Sequence, residues 1–190
     1  MKRICFALLW LVFAISCTHK KYDHPRILIE TAYGDMEAEL YPDKAPKTVA
    51  AFLSYIDSGY YRDASFYRVL KDDDMPTDYN TGLIQGGLWP NKKNIPGIEH
   101  ESTRQTGLSH TNGTLSLART GINTATTEFF ICIGDQRQLD AGGHGTADSL
   151  GFAAFGKILK GMNVARNIQS ANSTDDHFDK KIAIKNITRL

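Results

Sequence analysis

GTLSLARTGINTATTEFFICIG, residues Gly113 to Gly134, reads as two strands and the loop between them. Leu115 and Leu117 alternate with small residues, the period of two expected of a strand with one buried face. Phe129 to Ile133 is a compact apolar run closed by Gly134, a second strand. Between them, Gly121 to Thr127 (GINTATT) is small and polar, which is loop chemistry. So plain a loop between two well-specified strands marks a backbone surface held open for something to lie on.

Upstream, Ile27, Ile29 and Thr31 alternate with Leu28 and Glu30, and Met36, Ala38 and Leu40 alternate with Asp35, Glu37 and Glu39. With Tyr33-Gly34-Asp35 as the turn, this is a hairpin with one wet face. A helix then starts with Pro46 in its first turn, where a missing N–H is harmless. Its stripe is Val49, Phe52, Leu53 and Ile56, and Gly59 is placed to end it. Phe66 to Leu70 is a strand, and Lys71 to Thr81 (KDDDMPTDYNT) an exposed loop. Gly86 and Gly87 mark a close backbone approach or a bulge. Asn91 to Thr111 is irregular, punctuated like the residues before it by Pro90, Pro96 and Gly97, and Asp140 to Gly151 (DAGGHGTADSLG) is Gly-rich and mobile in character. A strand from Phe152 to Ile158, a short helix around Met162 to Ile168 and a final strand from Lys181 to Ile187, with Ile182 and Ile184 on one face, complete the chain. Many short strands with two helices and no linker or repeat predict one all-β domain, a barrel or a sandwich.

Composition narrows the function classes. The 190 residues carry a formal net charge of +1, with ordinary apolar and charged fractions for a soluble domain. The start is different: Met1-Lys2-Arg3 is a positive n-region, and Phe6 to Ile15 an apolar segment too short to span a bilayer. It ends in Ala14-Ile15-Ser16-Cys17, which resembles a bacterial lipoprotein box, with Ala14 where Leu is usual. Residues 1–16 are therefore expected to be a signal peptide, residues 17–25 a lipidated Cys17 and its tether, and residues 26–190 the folded domain. An ordinary signal peptide cut near Ser16 is the alternative. Loss of the leader removes Lys2 and Arg3 and brings the charge to about −1. No basic stripe with interleaved aromatics is present, so nucleic acid is not an expected partner. Cys5 leaves with the leader and Cys17 takes lipid, so Cys132 alone remains and no internal disulfide is expected. Inside an apolar run, it reads as a buried, inert thiol.

Four segments in order resemble the cyclophilin-type peptidyl-prolyl isomerases. They are Ala45-Pro46-Lys47-Thr48-Val49 through Asp57-Ser58-Gly59-Tyr60-Tyr61; Phe66-Tyr67-Arg68-Val69-Leu70 with Leu83-Ile84-Gln85-Gly86-Gly87; Gly113 to Gly134; and Phe155-Gly156-Lys157-Ile158 with Gly161-Met162-Asn163-Val164. The resemblance covers the chain from about Ile27 to its end and sharpens the fold to a closed eight-stranded antiparallel barrel with a helix over each end. Side chains fill a barrel of that size, so the site must lie on its outer wall. The resemblance implies an enzyme that rotates X–Pro bonds in proline-containing polypeptides, acting as a monomer without cofactor or metal. With the lipoprotein-like start, it implies a cell-envelope setting, anchored facing the periplasm or the cell surface.

By the same resemblance, Arg68 holds the position of the catalytic arginine. Phe130 is the aromatic floor of the proline pocket, and Phe66, Leu83, Leu117, Leu139 and Phe152 are apolar pocket positions. Gln85 contacts substrate and arginine, and Ala118 and Arg119 form the strand edge that pairs with the peptide backbone. Glu128 stands where many members have Gln, and is expected to face Arg68 and orient it through paired hydrogen bonds. Other departures are Tyr67 and Phe152 in place of two His residues, Gln138 in place of an aromatic, Gly82 without the aromatic that precedes Leu83, and Arg119 in place of Asn, adding a charge beside the groove. They leave the groove shallower on one side, and keep open a second function: a proline-peptide binding or chaperone module with little or no turnover.

Rival chemistries find less support. His100, His110 and His144 with Glu99 and Glu101 fit no zinc spacing and read as solvated loop residues. Ser116 is not in a G-x-S-x-G elbow, and no G-K-[ST] follows Gly82 to Gly87 as a phosphate loop requires.

Overall fold

Ile27, Ile29 and Thr31 are buried and their neighbours only half-buried, so β1 (Arg26–Thr31) has the inward face its alternation predicts. The same holds for Met36, Ala38 and Leu40 of β2 (Gly34–Leu40). The computed structural model describes residues 22–72, 81–89 and 94–190. The expected leader, Cys17 with its tether as far as residue 21, the middle of the 71–81 loop and Pro90 lie outside the described residues.

The remaining strands are β3 (Ser65–Asp72), β4 (Thr81–Gly87), β5 (Thr114–Leu117), β6 (Phe129–Ile133), β7 (Ala153–Lys160), the two-residue β8 (Ser173–Thr174) and β9 (His177–Arg189). All pairings are antiparallel, in the order β1-β2-β7-β5-β6-β4-β3-β9, and β9 returns to β1 to close an eight-stranded barrel. β8 adds only a short hairpin to β9. The expected barrel is therefore the one observed.

Helix α1 (Pro46–Asp57) packs on β7 and β9, and α3 (Met162–Gln169) on β2, β3, β4 and β6. Val49, Phe52, Leu53 and Ile56 are buried as the stripe predicts, and Gly59, at φ 68, lets the chain leave α1. The N-cap of α1, Ala45, has no side-chain acceptor. Instead the Glu101 carboxylate accepts the N–H groups of Lys47 and Thr48 at 3.1 and 2.8 Å. This cap from a distant part of the chain satisfies donors the helix cannot. It also ties down the irregular segment that ends in the one-turn helix α2 (Thr103–Thr106), a third helix beyond the two expected.

The barrel interior is solid. Phe52 of α1 lies 4.8 Å from Phe155 and 5.5 Å from Phe129 between ring centroids, and Tyr61 and Phe66 pack edge-on against Phe129. Among the described residues, these packed rings fill the middle of the barrel.

β6 shows how the outer wall acquires a site. Phe129, Ile131 and Ile133 belong to the interior core, while Phe130 and Cys132 belong to a separate outer cluster with Leu83, bordered by Ala118, Leu139 and Phe152. Both faces are covered, which is why the run is continuously apolar. Cys132 is the buried thiol expected, and burial pushes its pKa well above the usual range.

Candidate active site

A groove of about 370 Å3 lies over the outer cluster. Of the residues expected there, Arg68, Leu83, Gln85, Ala118, Arg119, Glu128, Phe130, Leu139 and Phe152 line it. Phe66 and Leu117 do not: both are in the interior core, 0% and 1% exposed. Strand parity explains the difference. Leu117 pairs with inward-facing Phe129, and Phe66 packs on the same ring.

Arg68 reaches the groove because β3 is bulged. Its pairing shifts register between Phe66 and Arg68 against both β4 and β9. One extra residue lets Tyr67 and Arg68 both face the groove while Phe66 and Val69 both face the core.

Arg68 is held by a different partner from the one expected. Its Nε donates to Asp176 Oδ2 at 2.6 Å and its Nη1 to Gln85 Oε1 at 3.4 Å. The expected Glu128–Arg68 clamp does not form. Glu128 Oε2 accepts the Tyr67 hydroxyl at 2.6 Å, and Oε1 accepts the Leu88 N–H at 3.0 Å and the Thr127 hydroxyl at 3.2 Å. The Tyr67 oxygen in turn accepts the Gln85 amide at 2.7 Å. The donors run one way, from Arg68 through Gln85 and Tyr67 to Glu128, so Glu128 reaches Arg68 only through two intermediaries. Burial first, then the Glu128 hydrogen bond, pushes the Tyr67 phenol well above its usual range, so it keeps the proton it donates. Gly87 makes room for this chain: at φ 149 it has no side chain, and a Cβ there would meet the Glu128 carboxylate at 2.5–2.7 Å.

Arg119 adds no free charge beside the groove. Its side chain is 3% exposed and grips Asp148 with two hydrogen bonds of 2.7 Å while Nε and Nη2 donate to the Gly151 carbonyl. Arg119 and the Leu150 N–H hold the Asp148 carboxyl well below the usual carboxylate range. The Gly-rich loop is thus fastened to the groove wall, and Phe152 N to Leu139 O closes its base at 3.0 Å. Gln138 turns to Gln136, its amide donating at 2.7 Å, and does not line the groove.

His110 is not a solvated loop residue. It is 0% exposed and stacks on Phe130 with centroids 5.8 Å apart. Its Nδ1 lies 2.6 Å from Asp140 Oδ1 and its Nε2 2.9 Å from Ser116 Oγ. The order Ser–His–Asp is that of a hydrolytic triad, but Ser116 is 0% exposed, so no substrate reaches it. The set supports the pocket floor from behind. Burial lowers the His110 pKa, and the Asp140 hydrogen bond opposes it. His100 reaches the Leu150 carbonyl at 3.2 Å, and His144 is exposed.

Sequence reasoning did not place Asp176 or Trp89 at the site. Trp89 is 38% exposed at one end of the groove, 5.1 Å from the Tyr67 ring. An aromatic two residues after Gly87, past Leu88, was the available signal for it.

This assembly of barrel and groove has counterparts. The family model described as cyclophilin type peptidyl-prolyl cis-trans isomerase/CLD matches residues 26–189. Peptidyl-prolyl cis-trans isomerase A of Dickeya dadantii is 35% identical over 152 residues, 77% of this chain and 72% of the relative. Peptidyl-prolyl cis-trans isomerase B of Escherichia coli is 32% identical over 151 residues, 75% and 83% of the two chains. Among solved structures, a cyclophilin type peptidyl-prolyl cis-trans isomerase of Cryptosporidium parvum superposes with a TM-score of 0.70 at 25% identity, over 88% of this chain and 98% of that one.

Proposed function

This chain belongs to the cyclophilin-type peptidyl-prolyl cis-trans isomerases, and from that premise we propose that Arg68 drives the isomerisation, in proteins folding outside the cytoplasm, from a lipid anchor at Cys17. Rotation of a peptide bond faces a barrier of about 18–20 kcal/mol because the amide is conjugated. An unaided X–Pro bond takes roughly tens to hundreds of seconds to isomerise. No covalent bond breaks, so the catalyst needs only to bind the twisted amide better than either planar form. Twisting pyramidalises the prolyl nitrogen and exposes its lone pair, which an N–H of the guanidinium stabilises. An acceleration of about a hundred-thousand-fold requires roughly 7 kcal/mol of such preference.

The observation that carries this reading is the placing of Arg68, half-buried and held by Asp176 and Gln85 at the edge of an apolar pocket floored by Phe130. Phe130, Leu83 and Leu139 receive the proline ring, and the low-dielectric floor strengthens the charge beside it. The envelope setting rests on Met1-Lys2-Arg3, the short apolar segment and Ser16-Cys17. The test is a protease-coupled assay on a short Ala–Pro peptide. The expected result is a cis-to-trans rate that rises linearly with protein concentration. Saturable peptide binding without any acceleration would establish the binding-module function instead.

A further inference from the structure

Asp176 lies 108 positions from Arg68 in the chain, yet it makes the shorter of Arg68's two hydrogen bonds. It sits with Asp175 at the turn between β8 and β9, and Asp175 has a φ of 53. The turn is fastened to β3 at the bulge. The Asp176 carbonyl accepts the Val69 N–H at 2.9 Å, and Arg68 pairs in register with His177. The side chain completes the attachment, with Oδ2 on Arg68 Nε at 2.6 Å and Oδ1 on His177 Nδ1 at 2.5 Å. Both carboxylate oxygens are therefore directed. The hydrogen bond from Arg68 lowers the Asp176 pKa, so the group is ionised at neutral pH.

We propose that Asp176 is a positioning residue for isomerisation, fixing the plane of the Arg68 guanidinium so that its terminal nitrogens point into the groove. This rests on the reading of Arg68 given above. Asp176 does not line the groove, so it acts on the substrate through Arg68 alone. A guanidinium on a flexible stem is not directional until Nε is held. Gln85 holds one terminal nitrogen at 3.4 Å and cannot by itself set the plane. A charge-assisted bond to Nε removes rotation about the last side-chain torsion and leaves donors on both terminal nitrogens. The β8–β9 hairpin is thereby a part of the catalytic apparatus rather than a decoration at the barrel edge.

The test compares kcat and KM, by line-shape and exchange measurements on an Ala–Pro peptide, for wild type, Asp176→Asn, Arg68→Ala and the double variant. Asp176→Asn keeps the shape of the side chain and the backbone bond to Val69. Its kcat is expected to fall about ten- to hundred-fold with KM unchanged, as for a misplaced catalytic group. The Nε–H resonance of Arg68 is expected to move upfield and exchange faster in this variant. In the Arg68→Ala background, Asp176→Asn should change nothing further. Asp176→Glu, which keeps the charge, should recover part of kcat, and equal melting temperatures check the fold. If Arg68→Ala is inactive while Asp176→Asn keeps wild-type kcat, the positioning role is overturned and the reading of Arg68 stands. If Arg68→Ala keeps wild-type kcat, both are overturned.

Discussion

Tyr67 carries the polar chain that starts at Arg68, because its one hydroxyl both accepts from Gln85 and donates to Glu128. Tyr67→Phe removes one hydroxyl and leaves a Glu128 oxygen and a Gln85 N–H without their partners. Each such loss costs on the order of 1–3 kcal/mol when the group is buried. The expected outcome is a lower melting temperature and a kcat/KM reduced roughly ten-fold, since Gln85 no longer holds its oxygen toward Arg68. Glu128→Gln is expected to keep most of the activity, because an amide oxygen still accepts from Tyr67, although its NH2 then faces the Leu88 N–H. An equally inactive, folded Glu128→Gln protein would mean a direct chemical role for that carboxylate. At this scale the sequence was informative about which residues reach the groove and poor about who holds whom. Arg68, Gln85 and Phe130 were legible from their motif. Asp176 was not, since Asp in a polar turn is ordinary turn chemistry and its partner lies on another strand. Phe66 and Leu117 were misplaced because a motif match does not say which face of a strand a side chain takes.

At the scale of elements, three devices build the groove: the two-faced strand β6, the bulge in β3 and the Gly-rich loop fastened by Arg119. The alternation of β1 and β2 and the stripe of α1 were readable from period alone. The bulge was not, because it leaves no mark in the run Phe66-Tyr67-Arg68-Val69 beyond an arginine inside an apolar strand. The buried His110 was missed for a related reason. Polar neighbours such as Ser109 and Thr111 suggested solvent, whereas Ser109, the His110 backbone and the imidazole all turn to Asp140. Its lowered pKa has a testable sign. Protonation is easier in the unfolded chain, where the ordinary value is 6.5, so His110 contributes stability above that pH, and the contribution is lost as pH falls through the lower folded value. Melting temperature should therefore decline from pH 7 to pH 5, above the range where the carboxylates titrate. His110→Gln should be less stable at pH 7 and show a flatter profile between the two. Parallel profiles for the two proteins would assign the slope to other groups.

For the whole molecule, closure of the barrel dictates that function is external: the interior is filled by Phe52, Tyr61, Phe66, Phe129 and Phe155. Residue patterns alone left a barrel and a sandwich equally open, since both need many short alternating strands. Only the order of four motifs selected the closed form, because closure depends on which distant strands meet, such as β1 with β9. The lipid anchor is tested at this scale too. Cys17→Ser should leave the membrane fraction, while the wild type stays with it. Equal membrane retention of the two proteins would remove the anchor from the account.

The claim on which the rest depends is that the Arg68 charge recognises the twisted amide and not the resting peptide. Its most direct test is NMR exchange on an equilibrium mixture of cis and trans Ala–Pro peptide, with binding followed by chemical-shift titration in the same samples. Arg68→Ala should bind the peptide with a Kd within a few-fold of wild type and exchange it about a hundred- to thousand-fold more slowly, the size of effect seen when one transition-state donor is removed. An Arg68→Ala protein that is folded, binds the peptide and exchanges it at the wild-type rate would contradict the account.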